Sequence, residues 1–308
     1  MSTPEIHEVW PEAVAAGPFS LTDDDAYRRW RDAKLAAHPQ RFADLVVEVK
    51  DPRQLTAAEH GAILDRCRRA NMAIYVGQTG DDPDTEIPRR MGEQFGLRHL
   101  DHNPGADDDG ITAITVVEGS GYIPYSRRPI RWHTDGYYNR PDRQIRGMSL
   151  HCVTAAADGG ESGLLDHEIA YIWLRDEDPA YIRALMATDA MTIPGNLEDP
   201  RVMRPDRTGP VFWVDPETTT LQMRYTARSR NIVWQEDPVL TAARRRLTAL
   251  LAAESPFIFR ATLAPGQGLM CNNVLHDRTG FHDNDPQVPR LLYRGRYYDR
   301  IAGTAMVR

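Results

Sequence analysis

Cysteine is scarce in this sequence: its 308 residues contain three, Cys67, Cys152 and Cys271, and they lie far apart. An odd number of scattered cysteines excludes a full disulfide framework, and no CxxC pair is present to form a zinc knuckle. The sequence therefore predicts a reduced, cytoplasmic protein.

Long apolar runs and an excess of positive charge are also missing. No stretch of about 18 apolar residues is available to form a membrane-spanning helix. The first ten residues include Glu5 and Glu8 and lack the basic and apolar regions of a secretory signal. The formal net charge of −7 gives no general attraction to nucleic acid or to an anionic membrane. We therefore expect neither nucleic acid nor a membrane as a partner.

The sequence has no internal repeat, no low-complexity tract and no Pro/Ser-rich linker, so a single domain spanning residues 1–308 is the better prediction. Residues 1–110 have the pattern of a mainly helical N-terminal flank, and residues 111–300 that of a core of short strands with helical inserts. Short strands of this kind usually close into a barrel or a two-sheet jelly roll, which removes exposed edges. The predicted fold class is α+β with a mainly β core.

Capping residues mark the beginnings of several predicted helices. Thr22 to Asp25 supply an N-cap and acidic residues for a first helical turn, and Thr56 with Glu59 forms a capping box. Asp166 and Asp237 are further N-cap candidates, each followed by apolar residues at helical spacing. These positions predict where the helices begin.

Two charged stretches are predicted to be solvated loops. The first, 96–110, contains His99, Asp101 and His102, which taken alone resemble a metal cluster. Its Asp/Gly-rich surroundings favour a loop in which charged side chains meet water. The second, 223–231, is unusually basic, and its alternative role is to cover the mouth of the active site.

A histidine and an aspartate, His133 and Asp135, are separated by one residue and followed by the turn-forming Gly136. On a strand, positions i and i+2 face the same side, so both side chains can reach one metal ion. His276, just past a strand introduced by a Gly-rich turn, supplies a third ligand. Two imidazoles and one carboxylate form the facial triad of non-haem Fe(II) oxygenases, which leaves three adjacent positions open for a bidentate 2-oxo acid and O2.

A 2-oxo acid with a distal carboxylate needs a cationic anchor at some distance from the iron. Arg290 provides a guanidinium group suited to a bidentate pair with a carboxylate. Ser162, after the Gly159-Gly160 turn, is the candidate hydroxyl donor, with a plain turn residue as the alternative interpretation.

These pieces resemble the taurine/2,4-D dioxygenase-like (TauD/TfdA) family of Fe(II)/2-oxoglutarate oxygenases. The matching segments are Trp132-His133-Thr134-Asp135, Gly159-Gly160-Glu161-Ser162, Asn272 to His276, and Arg290-Leu291-Leu292-Tyr293-Arg294, which occur in the family's order. Many members carry Thr where this chain has Ser162, and the hydroxyl is kept. The common Asp-Asn before the distal histidine is Cys271-Asn272 here, so the outer-shell hydrogen bonds are expected to differ.

The resemblance implies a double-stranded β-helix (jelly roll) with flanking helices. It assigns Fe(II) to His133, Asp135 and His276. It assigns the C5 carboxylate of the cosubstrate 2-oxoglutarate to Arg290 and the Ser162 hydroxyl. It also implies oxidative decarboxylation of 2-oxoglutarate by O2 to succinate and CO2, coupled to oxidation of a substrate C–H bond.

Asp135 bears on the outcome at that C–H bond. In related halogenases a small residue replaces this ligand so that chloride can bind, and the carboxylate therefore favours hydroxylation or desaturation. The resemblance also implies that Arg294 binds a small, anionic substrate, because sulfonate-acting relatives use an arginine at this position for the anionic group. A second contact to 2-oxoglutarate or a salt bridge is its alternative role. Tyr137 is a candidate for lining the substrate pocket, with a core or rim position as the alternative.

Two other classes of protein remain open from the sequence. A cupin-like metal hydrolase or isomerase would use the triad without 2-oxoglutarate, and Arg290 and Ser162 would then share no task. A non-enzymatic small-molecule-binding barrel would keep the fold and tolerate loss of His276. The subunit number is also open, including a homo-oligomer.

Overall fold

The structure is a computed structural model that describes residues 9–11, 14–102, 110–196, 203–285 and 287–306. Within these residues, the α-helices are Asp24–Ala37 (α1), Ala57–Ala70 (α2), Glu86–Gln94 (α3), His167–Glu177 (α4), Pro179–Leu185 (α5) and Pro238–Ala252 (α6). Short 3₁₀ helices cover Phe42–Leu45, Ile123–Tyr125 and Pro141–Arg143.

The strands of the described residues are Val46–Val49 (β1), Met72–Gly77 (β2), Thr112–Ile114 (β3), Ile130–His133 (β4), Gly147–Thr154 (β5), Asp158–Gly159 (β6), Ser162–Leu165 (β7), Met191–Ile193 (β8), Arg207–Gly209 (β9), Phe212–Val214 (β10), Leu221–Met223 (β11), Val233–Trp234 (β12), Phe259–Ala261 (β13), Gln267–Cys271 (β14), Leu275–Arg278 (β15), Phe281–His282 (β16) and Leu291–Tyr297 (β17). Most have two to five residues, as the sequence pattern predicts.

Two sheets form the centre of the molecule. A six-stranded sheet has the order β1-β2-β14-β5-β17-β3, and a four-stranded sheet has the order β13-β7-β15-β4. All neighbours in both sheets are antiparallel except β1 and β2, which are parallel. Smaller sheets are formed by β10-β11, β12-β8-β9 and β16-β6. The fold is therefore mixed α and β with its largest sheets in the centre, which agrees with the predicted class.

One hydrophobic cluster joins the two central sheets. It contains Ile74, Met148 and Leu269 of the six-stranded sheet together with Leu164 and Phe259 of the four-stranded sheet, all at most 4% exposed. Burying such side chains contributes roughly 1.5–3 kcal/mol each before the opposing entropy terms. A second, larger cluster packs α4, α5 and α6 beside the four-stranded sheet.

The helices begin where the capping residues predict. The Thr56 hydroxyl accepts a hydrogen bond from the Glu59 amide, and the Glu59 carboxylate accepts one from the Thr56 amide. Asp166 and Asp237 likewise cap α4 and α6. Helix α2 ends at Asn71, whose φ of 56° lies in the left-handed region that stops a helix. Local chemistry therefore sets these boundaries.

Several strands differ from the sequence prediction. His276 lies within β15 rather than beyond a strand, and Ser162 begins β7 rather than ending a turn. Strands β1 and β2, from the N-terminal flank, join the six-stranded sheet and pair with β14. The N-terminal residues thus contribute to the central sheet as well as supplying helices.

The basic stretch 223–231 is only partly a solvated loop. Arg224 is fully buried, because its guanidinium donates hydrogen bonds to backbone carbonyls that include those of Tyr137, Met191 and Arg207. Arg228 to Asn231 are exposed. The prediction of a solvated side chain is wrong for Arg224. One arginine can donate hydrogen bonds to several buried carbonyls, and a charge pattern in the sequence does not reveal those partners.

All three cysteines are buried and free, which agrees with the absence of a disulfide framework. Burial raises the pKa of Cys152 to about 11 and that of Cys271 to about 12. None of the helices in the described ranges is long and apolar enough to cross a bilayer.

Candidate active site

The two histidines of the predicted triad face each other across adjacent strands. His133 is the last residue of β4, and His276 is its direct partner on β15. Their ring centroids are 4.2 Å apart. Asp135 follows in the turn after β4, and one donor atom from each of the three residues lies within 4.8 Å of the others. The structure therefore brings the predicted triad together.

Backbone carbonyls fix the tautomer of both imidazoles. Nδ1 of His133 lies 2.9 Å from the Arg131 carbonyl oxygen, and Nδ1 of His276 lies 3.0 Å from the Val274 carbonyl oxygen. A carbonyl can only accept, so each Nδ1 carries the proton and each Nε2 keeps its lone pair. Burial and the neighbouring His133 lower the pKa of His276 to about 4. A neutral imidazole with a bare Nε2 is the form that binds a metal.

Asp135 is held as a buried carboxylate. Burial alone would raise its pKa, but the positive charges of Arg294 and Arg296 lower the pKa well below the usual range. Its Oδ2 lies 3.3 Å from an Arg294 nitrogen and accepts no hydrogen bond within the described residues. Gly136 next to it has φ of 67°, and a Cβ there would lie 2.4 Å from Ile145. Only glycine suits this turn.

The donor set fits a divalent metal ion of the Fe(II) type. One nitrogen from each imidazole and a carboxylate oxygen lie close together, and Oδ2 of the carboxylate is buried and accepts no hydrogen bond within the described residues. This is the 2-His-1-carboxylate arrangement, which leaves positions open opposite its ligands. His133, Asp135 and His276 would hold the metal.

A cavity lies beside the triad, between the two central sheets. Its lining includes His133, His276, Ser162, Arg290 and Arg294. The structure thus places Ser162 and Arg290 at one site with the histidines, as the motif order predicts. A larger cavity of about 370 Å³ lies elsewhere, beside α3 and β17, away from the triad.

Arg290 is buried at the cavity wall with its charge unmatched. It is 6% exposed, and burial lowers its pKa. Asp283, whose charge opposes that shift, forms an ion pair with Arg127 at 3.5 Å rather than with Arg290. Within the described residues no carboxylate pairs with this guanidinium. A buried, unpaired cation is a strong site for an anionic ligand.

Sequence reasoning missed the groups that position Arg290. The Phe281 ring contacts two guanidinium groups, because its centroid lies 5.1 Å from Cζ of Arg290 and 4.8 Å from Cζ of Arg278. Arg278 is itself fixed by hydrogen bonds to the carbonyls of Ser126 and Arg128. The position of Arg278 two residues after His276 was a possible signal, because both then face the same side of β15.

The two predicted substrate residues lie in different surroundings. Arg294 lines the cavity and pairs with Asp135. Tyr137 is 9% exposed and belongs to the large hydrophobic cluster, with its hydroxyl accepting a hydrogen bond from Arg228. Tyr137 is therefore in a core position, the alternative that the sequence left open.

In the His/Asp-rich segment 96–110, His99 and Asp101 bind other side chains rather than each other. His99 Nδ1 lies 2.8 Å from the Asp299 carboxylate, and Asp101 pairs with Arg296 and Tyr298. Among the residues that the structure describes, the only group of three or more such side chains able to hold a metal is the His133 triad.

The triad has the ligand set typical of mononuclear non-haem iron oxygenases, and the cavity beside it is lined by arginines. The model of the family described as "Taurine catabolism dioxygenase TauD, TfdA family" matches residues 34–296. The chain belongs to this family, which confirms the family predicted from the sequence.

Two curated relatives and one solved structure are similar to this chain. A uridine-5′-phosphate dioxygenase from Amycolatopsis sp is 32% identical over 175 residues, which cover 54% of this chain and 60% of that protein. One from Streptomyces sp is 28% identical over 213 residues, covering 61% and 69%. The structure of asparagine oxygenase with Fe(II), 2S,3S-3-hydroxyasparagine and succinate matches with a TM-score of 0.59 at 15% identity, covering 79% of this chain and 80% of that one. This structural likeness supports the fold.

Proposed function

We propose that this protein is an Fe(II)- and 2-oxoglutarate-dependent dioxygenase that hydroxylates a C–H bond of a small anionic molecule, with desaturation as the alternative outcome. The observation that carries the proposal is the joint placement of His133, Asp135 and His276 beside the unpaired, buried Arg290. A metal site without 2-oxoglutarate would give no task to that arginine.

In this proposal the three ligands hold iron and Arg290 holds the cosubstrate. The Arg290 guanidinium would form a bidentate pair with the C5 carboxylate of 2-oxoglutarate, and the Ser162 hydroxyl would donate a hydrogen bond to it. The bound iron, 2-oxoglutarate and O2 supply the oxidant, with succinate and CO2 as coproducts. The apolar walls of the cavity, which include Met148, Leu150 and Leu292, would exclude water from the reaction.

We further propose a nucleoside 5′-monophosphate, such as uridine 5′-phosphate, as the substrate. Both curated relatives carry that substrate in their names, and the arginine-rich site suits a phosphate dianion. Arg294 is the proposed phosphate contact, because it is the cavity cation that stands directly beside the metal ligands. Tyr137 would contribute to substrate binding indirectly, by accepting the hydrogen bond that orients the Arg228 guanidinium.

The remaining parts of the proposal concern organisation. We propose one domain over residues 1–308, with a double-stranded β-helix formed by the strands that residues 111–300 contribute to the two central sheets. We also propose a cytoplasmic enzyme without nucleic-acid or membrane partners, in which a homo-oligomer remains an option.

Anaerobic titration with Fe(II) and 2-oxoglutarate tests the main proposal. A metal-to-ligand charge-transfer band in the visible range is expected for the intact protein. If a folded, metal-loaded sample gives no band, the 2-oxoglutarate proposal is wrong and a hydrolase, isomerase or binding barrel becomes the better interpretation.

A substrate scan tests the role of Arg294. Succinate formation and O2 consumption would be compared for uridine 5′-phosphate, uridine, sulfonates, carboxylates and amino acids. Arg294→Ala is expected to raise KM for the phosphorylated substrate by about 10- to 100-fold, since a charge-assisted contact contributes roughly 1.5–3 kcal/mol. Arg131→Ala, on the same strand as His133 but exposed, is the matched control. Unchanged kinetics with every substrate would rule out the role.

A further inference from the structure

We propose that Asn273 is a positioning residue for Asp135, a role that rests on the proposed metal site. Asn273 is not among the residues that line the cavity, and the hydrogen bonds of its side chain do not involve His133 or His276. Its carboxamide instead forms hydrogen bonds with the main chain of Asp135, and thereby fixes the position of the metal-binding carboxylate.

Three hydrogen bonds connect Asn273 to two other segments. The Asp135 amide donates to Asn273 Oδ1 at 2.8 Å, and Asn273 Nδ2 donates to the Asp135 carbonyl at 3.0 Å. The same Nδ2 donates to the Ile145 carbonyl at 2.8 Å. One side-chain amide thus satisfies both polar backbone groups of the metal ligand, as a neighbouring strand would do in a sheet.

Asp135 needs such a partner because strand β4 has already ended at His133. The turn that follows leaves its backbone without a sheet neighbour on that side, while its side chain is 5% exposed. Buried backbone groups must find hydrogen bonds. Asn273 is 4% exposed and supplies them.

Asn273 also stands between the strands that carry the rest of the site. It lies in the connection from β14, which ends at Cys271, to β15, which contains His276. Its φ of 49° is left-handed, a conformation that asparagine and glycine adopt more readily than other residues. The amide therefore couples the segment of one metal ligand to the segment of another.

The expected consequence is a loss of metal affinity when the amide is removed. Ligand atoms must stand within a few tenths of an ångström of their ideal distances, and changes in the groups behind the ligands typically weaken metal binding about 10- to 100-fold. Asn273→Gly removes all three hydrogen bonds while accepting the left-handed backbone.

Asn71→Gly is the matched control. Asn71 is also buried and left-handed, with φ of 56°. Its amide donates to Asp166 at 3.0 Å and accepts from Asn272 and Arg300, so it contacts the residue before Asn273 but makes no hydrogen bond to Asp135. Both variants lose a buried asparagine at a glycine-compatible position. Only Asn273→Gly should move the metal affinity.

The measurement is Mn(II) binding to the metal-free full chain by electron paramagnetic resonance, with thermal unfolding recorded in parallel. Asn273→Gly is expected to weaken Mn(II) binding about 10- to 100-fold, whereas Asn71→Gly stays within about twofold of wild type. Unchanged affinity in folded Asn273→Gly, or an equal loss in both variants, would overturn the proposal. Absence of Mn(II) binding in wild type would instead contradict the metal site itself.

Asn273→Asp serves if the glycine variant does not fold. It keeps the side-chain size and the acceptor for the Asp135 amide, but it turns both donated bonds into repulsion with the Asp135 and Ile145 carbonyls. Weaker Mn(II) binding than wild type is expected. Wild-type affinity in this variant would overturn the positioning role.

Discussion

At the scale of single residues, the geometry of the candidate site depends on hydrogen bonds between its side chains and backbone groups. The grouping of His133, Asp135, His276 and Arg290 at one site could be predicted from the sequence, because their residue types and order follow the motif of a known family. Asn273 could not, because its partners are backbone groups more than a hundred positions away in the chain. A sequence pattern reports side-chain types and spacing, and it does not report which carbonyl needs a donor.

Arg290 offers the sharpest test at this scale. Arg290→Lys keeps the positive charge but loses the planar pair of donors, so 2-oxoglutarate is expected to bind about 10- to 100-fold more weakly. The charge-transfer band in an anaerobic Fe(II) titration gives the Kd. Arg175→Lys, a change at a buried arginine that bonds to the Pro18 and Ser20 carbonyls, is the control. An unaltered Kd for Arg290→Lys would exclude a bidentate contact.

At the scale of helices and strands, the sequence predicts elements whose boundaries are set by nearby residues better than strands that depend on distant pairing partners. The cap of α2 at Thr56 and its end at Asn71 follow from residues within a few positions of each boundary. The short strands β8 and β12 have no such signal, because their two or three residues become strands through partners elsewhere in the chain. The sequence predicts a turn rather than a strand at Ser162 for the same reason, because its strand exists through pairing with β13 and β15.

A buried ion cluster docks helix α1 onto α4. Lys34 on α1 lies 2.6 Å from the Asp166 carboxylate and also pairs with Glu168. Burial would raise the pKa of Asp166, but the Lys34 charge holds it below the usual range. Since the folded-state pKa is depressed, this contribution to stability is present above about pH 4 and is lost as the pH falls further.

Lys34→Met should therefore destabilise the fold by about 3–5 kcal/mol at pH 7, because two buried carboxylates lose their counter-ion. The deficit should shrink as the pH falls towards 4, where protonation removes the unpaired charge. Urea unfolding at pH 7 and pH 5 measures both effects, and Lys50→Met, at an exposed lysine, is the control. A deficit that grows on acidification would show that the cluster does not act as an ion pair.

At the scale of the whole molecule, the metal ligands join parts of the chain that no local signal connects. Composition, motif order and strand density predicted a mixed fold with a β core. The sheet order, with β1 and β2 from the N-terminal flank paired onto β14, could not be predicted because it arises from contacts between distant segments.

Metal binding should consequently stabilise the entire fold. Mn(II) at 100 times its Kd adds about 2.7 kcal/mol, which corresponds to a rise in Tm of about 4 °C for a chain of this size. Differential scanning calorimetry with and without Mn(II) measures the shift. His276→Ala should abolish it and His282→Ala, at an exposed histidine, should leave it intact. A shift that survives His276→Ala would place the bound metal elsewhere.

The sheet order also sets when the site can exist during synthesis. Strands β14, β15 and β17, with His276 and Arg290, come from residues 267–297, and β14 separates β2 from β5 in the six-stranded sheet. A nascent chain that has emerged only as far as residue 266 lacks a metal ligand, the cosubstrate cation and the strand that joins its sheet together. Strands that pair over such sequence distances form late. Uptake of the proposed metal should therefore follow translation of the C-terminal strands, because a chain that ends at residue 266 lacks the ligand His276.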